Sequence, residues 1–102
     1  MRRLRYLDAA KDDLVDIALY IFEQSGSTEL ARRLTGRLRK RCRDIADKPF
    51  HLGRPRNELG DAIRSMAEGN HIIFFRYEPD SVVIIRIIEG HRDFARRDFE
   101  ES

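Results

Sequence analysis

Hydrophobic residues in the first half of the chain recur at intervals of three and four, the spacing of one face of an α-helix. Residues 8–24 and 28–46 carry this pattern, and a Ser-Gly-Ser link separates them. We expect Asp8 to cap the first helix, Gly26 to end it in a left-handed conformation, and Ser27 or the residue after it to cap the second. So short a link predicts an antiparallel helical hairpin.

Alternating or continuous apolar runs predict four strands around this hairpin. We expect them at residues 2–7, 62–67, 71–77 and 82–88. The last two runs are nearly all β-branched or aromatic, which is typical of central strands that are covered on both faces. Tight turns link the last three strands. The pattern predicts an α+β fold of order β-α-α-β-β-β, a small antiparallel sheet with the helical hairpin packed on it; residues 93–99 should form a short helix or an arm.

Composition limits the class of protein. A chain of 102 residues can build one modest core, so we expect residues 1–102 to form a single domain. Its one cysteine, Cys42, excludes an intramolecular disulfide and lies on the apolar stripe of the second helix, where core packing is its expected role. No apolar run is long enough to span a bilayer, and the N-terminus lacks an apolar signal core. A cytoplasmic location without membrane association is therefore expected.

Charge is unevenly distributed along the chain. Lys and Arg total 20 and Asp and Glu total 18, for a net charge of +2, yet residues 32–43 contain seven basic and no acidic side chains. Such a face attracts an anionic partner. Direct nucleic-acid binding is not favoured, because no aromatic side chains are interleaved to stack on bases. An acidic partner segment or simple solvation explains the basic face better.

Two arginines, Arg64 and Arg86, lie in predicted strands. Arg86 is flanked by isoleucines, so its burial is costly unless its charge is paired. One interpretation is an anion site for a phosphate or a carboxylate, favoured if the two arginines share a face of neighbouring strands. The other is a structural ion pair, which for Arg86 would involve Glu89, Asp93 or an acid of the first helix. For each arginine alone, the structural interpretation is slightly preferred.

Histidines are the candidate acid–base groups. A ribonuclease needs one group that removes a proton and another that donates one, and His71 or His91, beside Arg92, has the chemistry for either role. A solvated turn or loop position is the preferred interpretation for both, and for His51. No histidine pairs with Cys42 or another histidine at a metal-ligand spacing, so no metal site is expected. No Gly-rich phosphate loop is present, and no cofactor is expected.

Several segments in a fixed order resemble one protein family. The segments are Gly53-Arg54-Pro55-Arg56, Glu58-Leu59, Gly69 to Tyr77 and Val83 to Asp93. With Arg64 and a helical hairpin of the right length and place, they resemble the ParE branch of the RelE/ParE toxins of bacterial type II toxin–antitoxin systems. The resemblance covers nearly the whole chain and implies a strand, two helices and three further antiparallel strands.

The resemblance also implies partners. A ParD-like antitoxin, with a ribbon-helix-helix N-terminal domain and a disordered C-terminal segment, would wrap the toxin in a hetero-oligomer. The apolar arc of the first helix and the basic side of the second are the expected receptors for that segment. The expected contact residues are Leu14, Val15, Leu19, Phe22, Arg33, Arg37 and Arg41. For ParE-like members the resemblance further implies poisoning of DNA gyrase, through binding and not through a reaction catalysed by the toxin.

The target-facing surface is expected at the C-terminal sheet edge and tail. Its expected residues are Arg64, Arg86, His91, Arg92, Phe94 and Phe99. RelE-like members instead cut mRNA in the ribosome, and this alternative would use His91 as acid or base with Arg64 and Arg86. The tail has no tyrosine and no lysine lies on the predicted sheet, which weighs against it. A third possibility is a non-toxic homologue that only binds antitoxin.

Overall fold

The computed structural model describes residues 2–100. Its elements are, in chain order, β1 (Arg3–Tyr6), α1 (Asp8–Ser25), α2 (Thr28–Asp47), β2 (Arg54–Pro55), β3 (Arg64–Glu68), β4 (His71–Tyr77), β5 (Ser81–Glu89) and a short 3₁₀ helix (Arg96–Phe99). The two helices pack on one five-stranded sheet, which confirms the α+β class and the helical hairpin. The 3₁₀ helix is the short helix that was one of two expectations for residues 93–99.

The sheet is mixed and not fully antiparallel. Its strand order is β1-β5-β4-β3-β2, and β1 pairs with β5 in parallel, with Tyr6 opposite Ile84. The expectation of an antiparallel sheet is therefore wrong for β1. The β3-β4-β5 meander leaves the outer edge of β5 free, and β1 occupies it. The prediction also missed β2, a two-residue strand that pairs with the start of β3.

Buried side chains cover the sheet on both faces, as the apolar runs of β4 and β5 predict. Phe74 and Phe75 are adjacent in β4 and both are fully buried, because one faces the helices and the other faces away. The face away from the helices is covered by the loop before β3 and by the C-terminal segment. The buried residues on that face are Leu59, Ile63, Phe74, Ile85, Ile88 and Phe99.

The link between the helices has the caps that the sequence predicts, whereas the start of α1 does not. Gly26 ends α1 at φ +70°, and the Ser27 hydroxyl accepts a hydrogen bond from the Leu30 N–H at 3.0 Å, so both expectations are confirmed. Asp8, however, is the first residue of α1 and does not cap it. Leu7 occupies the cap position and makes no side-chain cap. Asp8 still places negative charge at the positive end of the helix dipole.

The loop between α2 and β3 packs tightly against the sheet. Gly53 has φ +72°, and a Cβ built there would lie 2.5 Å from the Ser65 carbonyl oxygen. Arg64 holds the loop from β3, because its Nε donates to the Leu52 carbonyl at 2.8 Å and its Nη2 to the Gly53 carbonyl at 2.9 Å. The Tyr77 hydroxyl accepts from the Leu52 N–H at 2.7 Å. Because the main chain of Ser65 leaves no room for a Cβ atom, only glycine fits position 53.

We predict that Gly53→Ala lowers the free energy of unfolding by about 2–4 kcal/mol, because a strained backbone conformation adds to a clash with the main chain of β3. Gly26→Ala is the matched control: its φ is almost the same, but nothing lies within 4 Å of its Cβ position, so a loss of about 1 kcal/mol is expected. Urea denaturation measures both. Equal losses would contradict the close approach at Gly53.

Candidate functional site

The outer edge of β5 is only half covered by β1. The last pairing contact is a hydrogen bond from the Leu7 N–H to the Ile84 carbonyl at 2.9 Å. Further along β5, the Ile87 N–H donates instead to the Asp13 carboxylate, at 2.8 Å to Oδ2. Asp13 is a buried residue of α1, so a helix side chain satisfies the backbone where β1 has ended.

Arg86 completes this arrangement. Its Nε and Nη2 donate to the two carboxylate oxygens of Asp13 at 2.8 and 2.9 Å, and its Nη1 donates to the Asp98 carbonyl at 3.1 Å. The hydrogen bonds to Asp13 raise the pKa of Arg86, against the effect of burial. The Arg86 and Asp13 side chains are only 15% and 9% exposed. Of the two interpretations for Arg86, the structural ion pair with an acid of the first helix is confirmed.

Arg64 and Arg86 do not form a shared anion site. Their strands, β3 and β5, are not neighbours, because β4 lies between them. In β4, Arg64 is opposite Phe75 and Arg86 is opposite Phe74. The Arg64 guanidinium binds loop carbonyls, whereas that of Arg86 binds Asp13 and the C-terminal segment. The expectation that the two arginines converge is wrong.

The histidines occupy three different settings. His71 begins β4 opposite Glu89, and burial lowers its pKa against the opposing effect of that carboxylate. His91 is exposed in the turn after β5, where its backbone N–H donates to the Glu89 side chain. His51 stacks on Tyr77 at 3.9 Å between ring centroids. Within residues 2–100, no three His, Cys, Asp or Glu side chains are grouped to hold a metal ion.

Cys42 is a core residue, as its place on the apolar stripe predicts. It is fully buried between α2 and the sheet, beside Tyr6 of β1. Burial raises the pKa of the Cys42 thiol to about 11, and the hydrogen bond with the Tyr6 hydroxyl only partly opposes this rise. The thiolate is thus a minor species at neutral pH, and Cys42 is not suited to act as a nucleophile.

The C-terminal segment, residues 90–100, is part buried and part exposed. Phe99 is buried, with its ring centroid 4.6 Å from that of Phe74, and the half-buried Phe94 ring lies 5.2 Å from the same ring. Phe99 therefore belongs to the core and is not accessible to a target, which corrects the expectation for that residue. The exposed side chains of the segment include His91, Arg92 and two that sequence reasoning missed, Arg96 and Arg97.

The helical hairpin carries an exposed apolar stripe. Val15, Leu19 and Phe22 follow one another at helical spacing on α1 and are 57%, 53% and 43% exposed. Leu14 was expected to join them, but it is buried under α1 in the core, because it faces the sheet. Part of the stripe forms one wall of a shallow groove between the helices. Its lining residues are Ala18, Leu19, Phe22, Thr28, Ala31, Arg32 and Thr35.

The arginines of α2 fall on two sides of that helix. Arg32 lines the groove. Arg37 instead lines a cleft beside the β3–β4 turn, and Arg41 donates to Glu68 of β3 at 2.9 Å. Arg33 precedes Arg37 by four residues and shares that side of the helix. The structure thus does not bring Arg33, Arg37 and Arg41 together with the apolar stripe, and the groove arginine is one that the sequence-based assignment left out.

The chain is similar to a known protein family and to solved structures. A model of the ParE toxin of the type II toxin–antitoxin system parDE matches residues 4–94. A chain of the chromosomal ParDE toxin–antitoxin system from P. aeruginosa is 20% identical with a TM-score of 0.75; the match covers 87% of this chain and 96% of that one. A chain of the RelBE2 toxin–antitoxin complex from Mycobacterium tuberculosis is 21% identical with a TM-score of 0.64, covering 86% and 96%. No curated protein matches the chain.

The solved structures share the fold with this chain. Their identities of 20% and 21% are too low to carry residue roles from one protein to another, so those roles rest on the contacts of this chain. Among residues 2–100, neither helix has the length and apolar character needed to cross a membrane.

We predict that Asp13→Asn lowers the free energy of unfolding by about 3–5 kcal/mol, because it leaves the buried Arg86 guanidinium without its counter-charge. Asp12→Asn is the matched control. Asp12 is the adjacent acid on α1 but is exposed, so its change should stay within about 0.5 kcal/mol. Chemical denaturation of both variants tests this, and similar losses in the two would rule out a special role for Asp13.

Proposed function

The chain belongs to the ParE toxin family of type II toxin–antitoxin systems, and on this premise we propose that it stops replication by inhibiting DNA gyrase and that a ParD-like antitoxin neutralises it. The family match carries the proposal, because it extends over residues 4–94 and so includes the hairpin and all of the sheet except the first residue of β1. In this proposal the toxin acts in the bacterial cytoplasm, by binding and stabilising a cleaved gyrase–DNA complex.

The side chains support action by binding and not by catalysis. An mRNA endonuclease of this fold would need cationic groups directed at a phosphate and a group that transfers protons. The Arg64 and Arg86 guanidinium groups already bind loop carbonyls and the Asp13 carboxylate. His91 lies in an exposed turn, apart from either set of contacts. We therefore infer that the toxin is not an enzyme.

The C-terminal segment is the surface that we assign to the target. Arg92, Arg96 and Arg97 are exposed there, and none forms an ion pair with another residue in the range 2–100. An unpaired cationic surface suits a target that includes DNA, because the phosphate backbone attracts it over several ångströms. His91 and Phe94 lie beside these arginines in the chain.

We predict that toxin freed of antitoxin, added to gyrase, ATP and plasmid, causes linear DNA to accumulate. The double variant R92A/R96A should need about tenfold more toxin for the same effect, because it loses two charges of the target surface. R39A/R43A is the matched control: it also removes two exposed arginines, but from α2, and should inhibit like the unmodified toxin.

This assay, combined with expression of the toxin in cells to follow growth and mRNA cleavage, separates the alternatives. Growth arrest with unaffected gyrase and cleaved mRNA would replace the proposal with the ribosome-dependent endonuclease. A folded chain that arrests nothing on expression would leave only the non-toxic antitoxin-binding subunit. Equal inhibition by R92A/R96A and R39A/R43A would keep gyrase as target but move the target surface elsewhere.

The groove between the helices is the surface that we assign to the antitoxin. Leu19 and Phe22 are large apolar side chains exposed to solvent, and Arg32 lies at the rim. An amphipathic segment that folds on binding would bury the two apolar side chains and place an acidic residue near Arg32. This assignment replaces Arg33, Arg37 and Arg41 of the sequence-based expectation.

We predict that Leu19→Ser weakens antitoxin binding at least about tenfold, since burial of a leucine side chain stabilises a complex by about 1.5–3 kcal/mol. Tyr20→Ser is the control, because Tyr20 is even more exposed but does not line the groove. Arg32→Ala should also weaken binding and Arg37→Ala should not. Titration calorimetry of each variant with the cognate antitoxin measures these affinities. Loss of affinity in Arg37→Ala but not in Arg32→Ala would restore the sequence-based assignment.

A further inference from the structure

We propose that Arg56 is a positioning residue that holds the C-terminal segment against the sheet and thereby fixes the target surface. The effect of Arg56 on target binding rests on the proposed function, whereas the contacts of its side chain do not. Arg56 belongs to the Gly53-Arg54-Pro55-Arg56 segment. The arginines of this segment take no part in the ion pair of Arg86 or in the groove between the helices, so their role is still to be explained. It follows the two-residue strand β2 and lies on the face of the sheet that the helices do not cover.

The Arg56 guanidinium lies over a pair of neighbouring aromatic rings, whose centroids are 5.2 Å apart. Its central carbon is 5.6 Å from the centroid of the Phe74 ring and 5.5 Å from that of Phe94. Both distances are within the range of cation–π attraction. Phe74 belongs to the central strand β4, whereas Phe94 belongs to the C-terminal segment, and the two rings meet at an angle of 66°. Arg56 therefore joins the segment to the middle of the sheet.

Polar contacts fix the Arg56 side chain in this place. Its Nε donates to Glu58 at 2.8 Å and its Nη1 to the buried Ser65 hydroxyl at 3.2 Å. The main chain is held as well, because the Arg56 N–H donates to the Ile63 carbonyl at 2.7 Å. The side chain is only 11% exposed. A planar guanidinium can donate along its edge and contact rings with its faces, which an ammonium group cannot do equally well.

The C-terminal segment is thus held by two arginines, in addition to the packing of its Phe94 and Phe99 rings on Phe74. Arg86 binds the Asp98 carbonyl near its end, and Arg56 contacts Phe94 nearer its start. Arg92 and Arg96 lie on either side of Phe94 in the chain. Loss of the Arg56 contact leaves the far end attached. It removes one contact of Phe94, whose remaining ring contacts are with Phe74 and Phe99, and so loosens the part of the segment that carries the exposed arginines. This is why Arg56 acts on the target surface without contacting the target.

A single tryptophan reports on this contact, because the chain contains none. In a Phe94→Trp background, we expect Arg56→Met to raise the acrylamide quenching constant of the tryptophan at least about threefold below the unfolding transition, with a red-shifted emission. Arg56→Lys keeps the cation and should restore part of the protection. Arg54→Met is the matched control, because Arg54 is an exposed arginine in the same segment without a ring contact within residues 2–100, and it should leave quenching unchanged.

The gyrase assay, carried out with Phe94 retained, tests the consequence. If the toxin inhibits gyrase, folded Arg56→Met should inhibit about tenfold less, Arg56→Lys should fall between, and Arg54→Met should match the unmodified chain. Full inhibition by Arg56→Met would overturn the positioning role. Unchanged quenching in Arg56→Met would overturn the contact itself. A toxin without effect on gyrase would refute the proposed function alone, since the quenching measurement does not depend on it.

Discussion

The ion pair between Asp13 and Arg86 closes the stretch of sheet edge that the short strand β1 leaves open. It also joins three parts of the molecule, because Asp13 comes from α1, Arg86 from β5, and the Asp98 carbonyl that Arg86 binds from the C-terminal segment. Buried ion pairs contribute little net stability relative to apolar packing, but removing one partner is costly. What the pair determines is therefore the arrangement: where α1 crosses the sheet, and where the segment ends on the opposite face.

This arrangement places the two proposed binding surfaces on opposite sides of one rigid support. The groove between the helices lies on the side of the sheet that the helices cover, and the C-terminal segment lies on the opposite side. Strand β5 lies between the two sides, since Ile84 packs in the core beneath the helices while Ile85 and Ile88 pack toward Phe99. In the pairing of β4 with β5, Phe75 is opposite Ile84 and Phe74 is opposite Arg86, so Ile85 is the extra residue of a β-bulge next to Arg86.

The parts of the fold that the sequence predicts are those determined by neighbouring residues. Gly26 and Ser27 fix the helix link, Gly69 with φ +59° fixes the β3–β4 turn, and the apolar runs mark β4 and β5. The parts that it does not predict depend on contacts between distant segments. Alternation indicates that β1 is a strand but not that it pairs in parallel with β5, and no local pattern identifies Asp13 as the one buried acid of α1.

The prediction of the candidate site from the sequence was incomplete for the same reason, because the site also depends on contacts between distant segments. The apolar arc of α1 covers more than half of the helix, so the sequence alone cannot separate the buried Leu14 from the exposed Leu19. On α2 the apolar stripe divides the arginines into two flanks at fixed angles, which helical geometry does predict. Which flank faces α1 depends on the side toward which the hairpin folds over the sheet. That choice is made by long-range packing, and it puts Arg32, and not Arg37, beside the exposed apolar stripe.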